Sequence, residues 1–258
     1  MISEKIIFIT EWLKQQVKGA GCQGFVVGVS GGVDSAVAST LASLTTFPVA
    51  VVSLPINQDS AQLKRAQGHI EHLKEKFVNV KSFEVDLSNV SSAFEASLPS
   101  AAGSDLAKAN LKSRLRMCAL YAFANSNNFL VVGTGNKVED YGIGFFTKYG
   151  DGGVDLCPIA DLLKSEVYEL ARTLEVSEEI LRAAPVDGLW GDNRTDESQI
   201  GASYEELEWA MNFVSSAQNR QGLTKRQRDV LEIYKFRHVR AAHKLKAPPV
   251  CHVPSEFS

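Results

Sequence analysis

The sequence contains no apolar run near the ~20 residues that a membrane-spanning helix needs. It has no basic excess either: 27 Lys and Arg stand against 30 Asp and Glu, a formal net charge of −3. That argues against a chain that coats nucleic acid or binds a membrane surface. Cysteine is sparse. Cys22, Cys118, Cys157 and Cys251 lie far apart and form no Cys-x-x-Cys pair, so they read as free packing thiols in a reducing compartment. The N-terminus, MISEKIIFITEWLKQQVKG, has an early acid and helical spacing where a signal peptide would have an apolar block. No internal repeat or linker interrupts the chain. The expectation is one cytoplasmic domain spanning 1–258, large enough to need no disulfide staples.

What is present is alternation. Ile6, Ile9, Leu13 and Val17 recur at helical spacing, so 3–18 reads as an amphipathic helix. FVVGV, FPVAVVSLP, VKSFEVDL and FLVVGTG read as strands. Between them lie VDSAVASTLASL, SAQLKRAQGHIEHLKEKF and the long GSDLAKANLKSRLRMCALYAFANSNN, the last with Leu111, Leu115, Cys118 and Ala122 on one stripe. Apolar strands alternating with helices predict an α/β fold, a parallel sheet covered by helices on both faces. Such sheets bind ligands beyond the carboxyl ends of their strands, where GVSGG and GTGN fall. After residue 135 a glycine- and aromatic-rich stretch without a clear period predicts a functional loop. Helices then return, two of them opened by capping boxes, Ser203 with Glu206 and Thr224 with Gln227.

The run FVVGVSGGVDSAVAST, 25–40, concentrates the chemistry. A strand that ends in Ser-Gly-Gly and passes into a helix makes an anion site. Glycine lets backbone N–H groups approach an oxyanion, and the helix N-terminus favours negative charge. Ser30 and Ser35 add hydroxyls. Asp34 would repel a phosphate unless a cation stood between them, which points to Mg²⁺ bridging carboxylate and phosphate. No Walker lysine follows, so this is a different cradle from that of common kinases and GTPases. A plain glycine turn with Asp34 as a cap is the bland alternative.

SGGVDS resembles the SGGxDS loop of the ATP pyrophosphatases, which cleave ATP to AMP and pyrophosphate. NLKSRLRM, LVVGTGNKVEDYGIGFFTKYGDGGVDLCPIADLLKSEVYELA and AAPVDGLWGDNRTDESQIGASYEELE occur in order along the chain and resemble NAD synthetases, FFTKYGDGG most specifically. The resemblance implies an adenine nucleotide alpha hydrolase-like, Rossmann-like fold, with ATP as co-substrate and Mg²⁺ as cofactor. Gly28, Val29, Ser30, Gly31, Gly32, Val33, Asp34 and Ser35 would hold the ATP phosphates, with Thr134 and Lys164 also on ATP. Asp34 and Glu139 would hold Mg²⁺, and Asp34 and Lys164 would act in catalysis. Arg114, Lys148, Asp155, His243 and Lys244 would bind deamido-NAD, and a homodimer is expected, with Arg114 and the His243–Lys244 tail serving the partner's site. Val186 stands where family members often have Ser or Thr.

The implied reaction is ATP-dependent amidation of deamido-NAD by ammonia through an adenylate, giving NAD, AMP and pyrophosphate. The chain begins directly at the synthetase part, so free ammonia rather than glutamine is the expected nitrogen donor. Taken without the resemblance, Arg114 and Arg116 read as a solvated helix face, Glu139 and Asp140 as loop charges, Trp190 as packing and His243 as a tail residue. Two rivals share the loop: another ATP pyrophosphatase acting on a nucleotide or tRNA, and a non-catalytic nucleotide sensor.

Overall fold

Each predicted strand places alternate residues on opposite faces, and the computed structural model, which describes residues 2–190, 192, 194–216 and 221–255, shows both faces covered. The strands are β1 (Gly24–Gly28), β2 (Val49–Ser53), β3 (Val80–Glu84) and β4 (Phe129–Val132). They pair in parallel in the order β3-β2-β1-β4. Helices α1 (Ile2–Gly19), α2 (Val33–Leu44), α3 (Ser60–Lys76), α4 (Ser88–Ser97) and α5 (Asp105–Asn127) occupy the first half. The second half carries α6 (Lys164–Thr173), the short α7 (Glu178–Leu181) and α8 (Asp196–Ile200), then α9 (Tyr204–Ser215) and α10 (Lys225–Ala241).

The alternation fixes the two cores. Phe25 and Val27 of β1 join Leu13, Val37, Leu41, Leu73 and Leu170 on the side of α1, α2, α3 and α6. Val26 joins Val52 and Val131 on the other side, packed by Leu120 and Phe123 of α5. Each such buried side chain contributes ~1.5–3 kcal/mol of transfer free energy. A third cluster forms where α9 and α10 pack on the turn after β4, through Val138, Ile143, Leu207, Leu231 and Tyr234. The C-terminal helices therefore brace the segment that carries Glu139.

β1 pairs with β2 on one side and with β4 on the other, so the strand order reverses between β1 and β4. A crevice opens at that switch point, beyond the carboxyl ends. Both glycine-rich turns leave from there.

Several sequence expectations need correction. β3 is an edge strand with only Val80 buried, and Lys81 on it discourages pairing with another chain. On α5 the buried residues are Ala109, Ser113 and Ala124; of the expected stripe, Leu115 packs partly buried against the core, while Cys118 and Ala122 are exposed. Cys22 alone, partly buried, packs against the first core, while Cys118, Cys157 and Cys251 are exposed. Gly191 and Asn193 of the DGLWGDNRTDE string lie outside the described residues. The loop after residue 135 opens with a π-helical turn, Lys137–Ile143; such wide turns are rare and concentrate at functional sites.

Candidate active site

The glycine loop has the geometry of an anion cradle. Gly32 precedes α2 in extended conformation, and no side chain caps the helix. Gly31 has φ +85°, and a Cβ there would lie 2.4 Å from the Gln62 carbonyl oxygen, so glycine is required. Ser35 braces the turn. Its Oγ accepts from Ser30 N at 3.2 Å and donates to Gly32 O at 2.9 Å.

Opposite the loop stand the π turn and the start of α6. Asn136 is fully buried; its Oδ1 accepts from the amides of Val138 and Glu139, and its Nδ2 donates to Asp34 Oδ1 at 3.1 Å. Lys164, the first residue of α6, donates from Nζ to Asp34 Oδ2 at 2.6 Å and to Glu139 Oε1 at 2.9 Å. Its side chain is only 4% exposed. Tyr204, at the start of α9, donates to Glu139 Oε1 at 2.5 Å and lays its ring 4.7 Å from the Lys164 ammonium. Asp34, Glu139 and Lys164, far apart in sequence, thus meet at one point.

Burial opposes the Lys164 charge, but Asp34 and Glu139 outweigh it and hold the ammonium above its ordinary range. Burial likewise opposes ionisation of Glu139, yet Lys164 and the Tyr204 hydrogen bond keep its carboxyl below the usual value. Asp34 is raised by burial and by the charge of Glu139, against the pull of Lys164. Asp196 is pushed up to about 7 by burial, then by Glu139 and Asp187. One of its oxygens, Oδ1, has no hydrogen-bond partner among the described residues, and Oδ2 lies 3.3 Å from the Tyr204 hydroxyl.

These groups line a cavity of about 620 Å³, within the ordinary range for small-molecule sites. Its walls include the whole 28–35 loop together with Thr134, Glu139, Lys164, Val186 and Lys244. Asp140, Asp151, Asp196, Trp190 and Arg116 also face it. The carboxylates suit a cation. Among the described residues no three His, Cys, Asp or Glu side chains converge as a closed metal cage. Mg²⁺ does not need one, since one or two carboxylates with substrate phosphates suffice. Asp34 and Glu139 already share one ammonium, so their oxygens lie close enough to serve a common cation.

The residues expected to bind deamido-NAD divide. Lys244 lines the cavity, its Nζ donating to the carbonyls of Gly144 and Phe146 at 2.8 and 2.7 Å. Arg114, Lys148 and His243 form a patch outside it. Arg114 donates to Lys148 O at 3.3 Å, and Lys148 Nζ to His243 O at 2.8 Å. Asp155 stands apart at the β4 edge, where it accepts from Tyr121 Oη and Val131 N at 2.9 and 2.8 Å.

Sequence reasoning missed Asn136, Asp196, Tyr204 and Arg116. Asn136 alone left a signal, as the polar residue closing GTGN. Arg116 is not a solvated residue. Its Nε donates to Leu54 O at 3.0 Å, while Nη2 is shut away without a hydrogen-bond partner among the described residues. Burial draws it down to about 10, so it stays charged at neutral pH. Trp190 donates to Asp187 Oδ2 at 3.0 Å, and the Arg194 guanidinium lies over its ring, which fits a packing role.

The model of the NAD synthase family matches residues 5–248. An NH(3)-dependent NAD(+) synthetase from Syntrophomonas wolfei is 41% identical over 255 residues, covering 97% of this chain and 96% of that one. The solved structure of NMN synthetase from Francisella tularensis superposes with a TM-score of 0.84 at 34% identity, covering 99% of both chains. That of the NH3-dependent NAD synthetase from Campylobacter jejuni, at 24% identity and a TM-score of 0.80 over 98% of this chain and 99% of that one, shares the fold. A glycine loop at the switch point, two acids and a lysine gathered beyond it, and a family model spanning almost the whole sequence agree: the chain belongs to the NAD synthase family.

Proposed function

We propose that this chain amidates deamido-NAD with ammonia at the expense of ATP, giving NAD⁺, AMP and pyrophosphate. The observation that carries the reading is the meeting of Asp34, Glu139 and Lys164 opposite an uncapped glycine loop. In the first step a nicotinate carboxylate oxygen bonds to the α-phosphorus as the bond to pyrophosphate breaks. In the second, the ammonia nitrogen bonds to the activated carbonyl carbon, AMP leaves with the electron pair of the C–O bond, and the nitrogen gives up a proton. ATP supplies the leaving group, so no covalent enzyme nucleophile is required.

Bringing a carboxylate to a polyanion costs roughly 4 kcal/mol per pair of unit charges 4 Å apart at an effective dielectric of 20. The amides of the 28–35 loop and the Lys164 ammonium offset that repulsion where charge develops. Mg²⁺ held by Asp34 and Glu139 would screen the phosphate oxygens further. Thr134 borders the same crevice. Lys244 is the substrate-binding candidate inside the cavity. Arg114, Lys148 and His243 lie outside it, which suits service to the deamido-NAD of a partner subunit in a homodimer. Asp155, tied to the β4 edge, is the weakest member of that set. The chain is read as one synthetase domain acting in the cytoplasm, and among the described residues no helix is long and apolar enough to cross a membrane. Ammonia as donor follows the naming of its relatives.

The likeness to an NMN synthetase favours a second reading, in which the acid amidated is the mononucleotide. Formation of AMP from ATP, followed with each acid in turn, separates the two. The account expects AMP release that depends on deamido-NAD, with a higher kcat/KM for it than for nicotinic acid mononucleotide. The reverse preference selects the second reading, and AMP release with neither acid points to another ATP pyrophosphatase. Nucleotide binding without AMP release leaves the sensor.

A further inference from the structure

Tyr204 has no role in the reading above, yet it contacts Glu139, Lys164 and Asp196. Its hydroxyl donates to Glu139 Oε1 at 2.5 Å, the same oxygen that receives Lys164 Nζ at 2.9 Å. Its ring meets the Lys164 ammonium 4.7 Å from the centroid. The residue is only 7% exposed. Its position is over-determined. Its backbone amide donates to Glu197 Oε1 at 2.9 Å, and the preceding Ser203 forms a capping box with Glu206. Glu139 in turn rides on the π turn that α9 and α10 brace.

Two donors on one carboxylate oxygen fix the plane of the group. Both meet at Oε1. Were Lys164 to leave Glu139 for a phosphate, the tyrosine hydroxyl would stay as a donor to the carboxylate, beside Asn136. Its ring meanwhile offers the ammonium a face that does not compete for the carboxylate. Partners of metal-binding carboxylates act in this way, and their loss typically costs ~10–100-fold in metal affinity or activity.

We infer that Tyr204 is a positioning residue for the divalent cation: its hydroxyl orients Glu139 for metal binding, while its ring holds Lys164 ready for the phosphate. This deepens the proposed synthetase reading and rests on its assignment of Glu139 to the metal.

The test uses Mn²⁺ as a spin probe for Mg²⁺, titrated into the whole protein with ATP and read by electron paramagnetic resonance. Tyr204→Phe keeps the ring and removes only the hydroxyl. Mn²⁺ affinity is expected to fall ~10-fold or more, while metal-free ATP binding stays within about twofold of wild type, as expected when no phosphate contact is lost. Turnover should recover as Mg²⁺ is raised, a rescue that a merely structural role would not give. Tyr204→Leu, which also removes the ring, should add a loss of ATP affinity. Mn²⁺ affinity unchanged in a folded Tyr204→Phe protein overturns the proposal, as does an equal fall in metal-free ATP binding. Should Tyr204→Phe fail to fold, the hydroxyl is structural and the proposal is likewise overturned. Wild-type protein that binds ATP but takes up no Mn²⁺ removes the metal reading itself, a result distinct from either.

Discussion

Replacing Lys164 with methionine removes the ammonium that Asp34 and Glu139 share, and the structure sets the scale of the response. At 2.6 and 2.9 Å the two contacts are each worth about 6 kcal/mol at an effective dielectric of 20. Much of that gain offsets the cost of taking three charges out of water, so the net value is smaller. Removing one partner of such a buried set leaves uncompensated charge and costs ~3–5 kcal/mol. In a chain of this size that corresponds to a melting temperature roughly 10 °C lower. The two freed acids then form a vacant cation site. Magnesium chloride without nucleotide should therefore raise the melting temperature of Lys164→Met by several degrees more than that of wild type, where the ammonium competes for the same oxygens. Differential scanning fluorimetry with and without Mg²⁺ reads this directly. An equal magnesium response in the two proteins would refute the reasoning, because Lys164 would then not stand where the metal binds.

Three further outcomes follow from the same geometry. Asp34→Asn should lower pyrophosphate release by about 100-fold or more while the protein stays folded, as loss of a group that stabilises transition-state charge does; near-normal turnover would remove its metal role. Gly31→Ala should cost at least ~1–3 kcal/mol through the left-handed φ and weaken ATP binding, as calorimetric titration would show, because its Cβ would strike the Gln62 carbonyl. Asp196 has a folded pKa raised from 3.8 to about 7. The folded chain thus holds a proton that the unfolded chain has released, and stability falls as pH rises from 4 towards 7, by up to ~4 kcal/mol. Asp34, Asp140 and Asp151 are raised as well, so Asp196→Asn should make the decline in urea unfolding shallower, whereas parallel pH profiles for variant and wild type would show that Asp196 has no part in it.

The parts of the site that sequence revealed are those built from local pattern. The strand-glycine-helix string located the glycine loop at the carboxyl end of β1, and α2 begins at Val33 as the sequence expects. Both capping boxes are formed, at Ser203 and Thr224. The parallel sheet followed from apolar runs separated by helical periods. What stayed hidden depends on contacts between distant segments. Tyr204 reaches Glu139 across 65 residues, Asn136 reaches Asp34 across 102, and Lys164 reaches Asp34 across 130. No period or spacing registers such pairs. Lys164 and Glu139 were singled out only through family resemblance, and Tyr204 carries no signal beyond its place after the Ser203 cap. α4 escaped because its serine-rich sequence, SNVSSAFEAS, has weak helix propensity and lacks a side-chain N-cap. Arg116 misled for a different reason. A basic residue on a long helix is usually solvated, but here the helix face turns towards the crevice and Leu54 O holds the guanidinium.

In the proposed reaction the glycine loop and the Asp34–Lys164–Glu139 cluster serve a single amide-forming sequence. Incubation of the purified protein with deamido-NAD, ATP, Mg²⁺ and ammonium, with all products quantified together, tests it most directly. The account predicts NAD⁺, AMP and pyrophosphate in equal amounts, no reaction without ATP, and no comparable rate when glutamine replaces ammonium. ADP and phosphate in place of AMP and pyrophosphate, or AMP formed without any amide product, would contradict it.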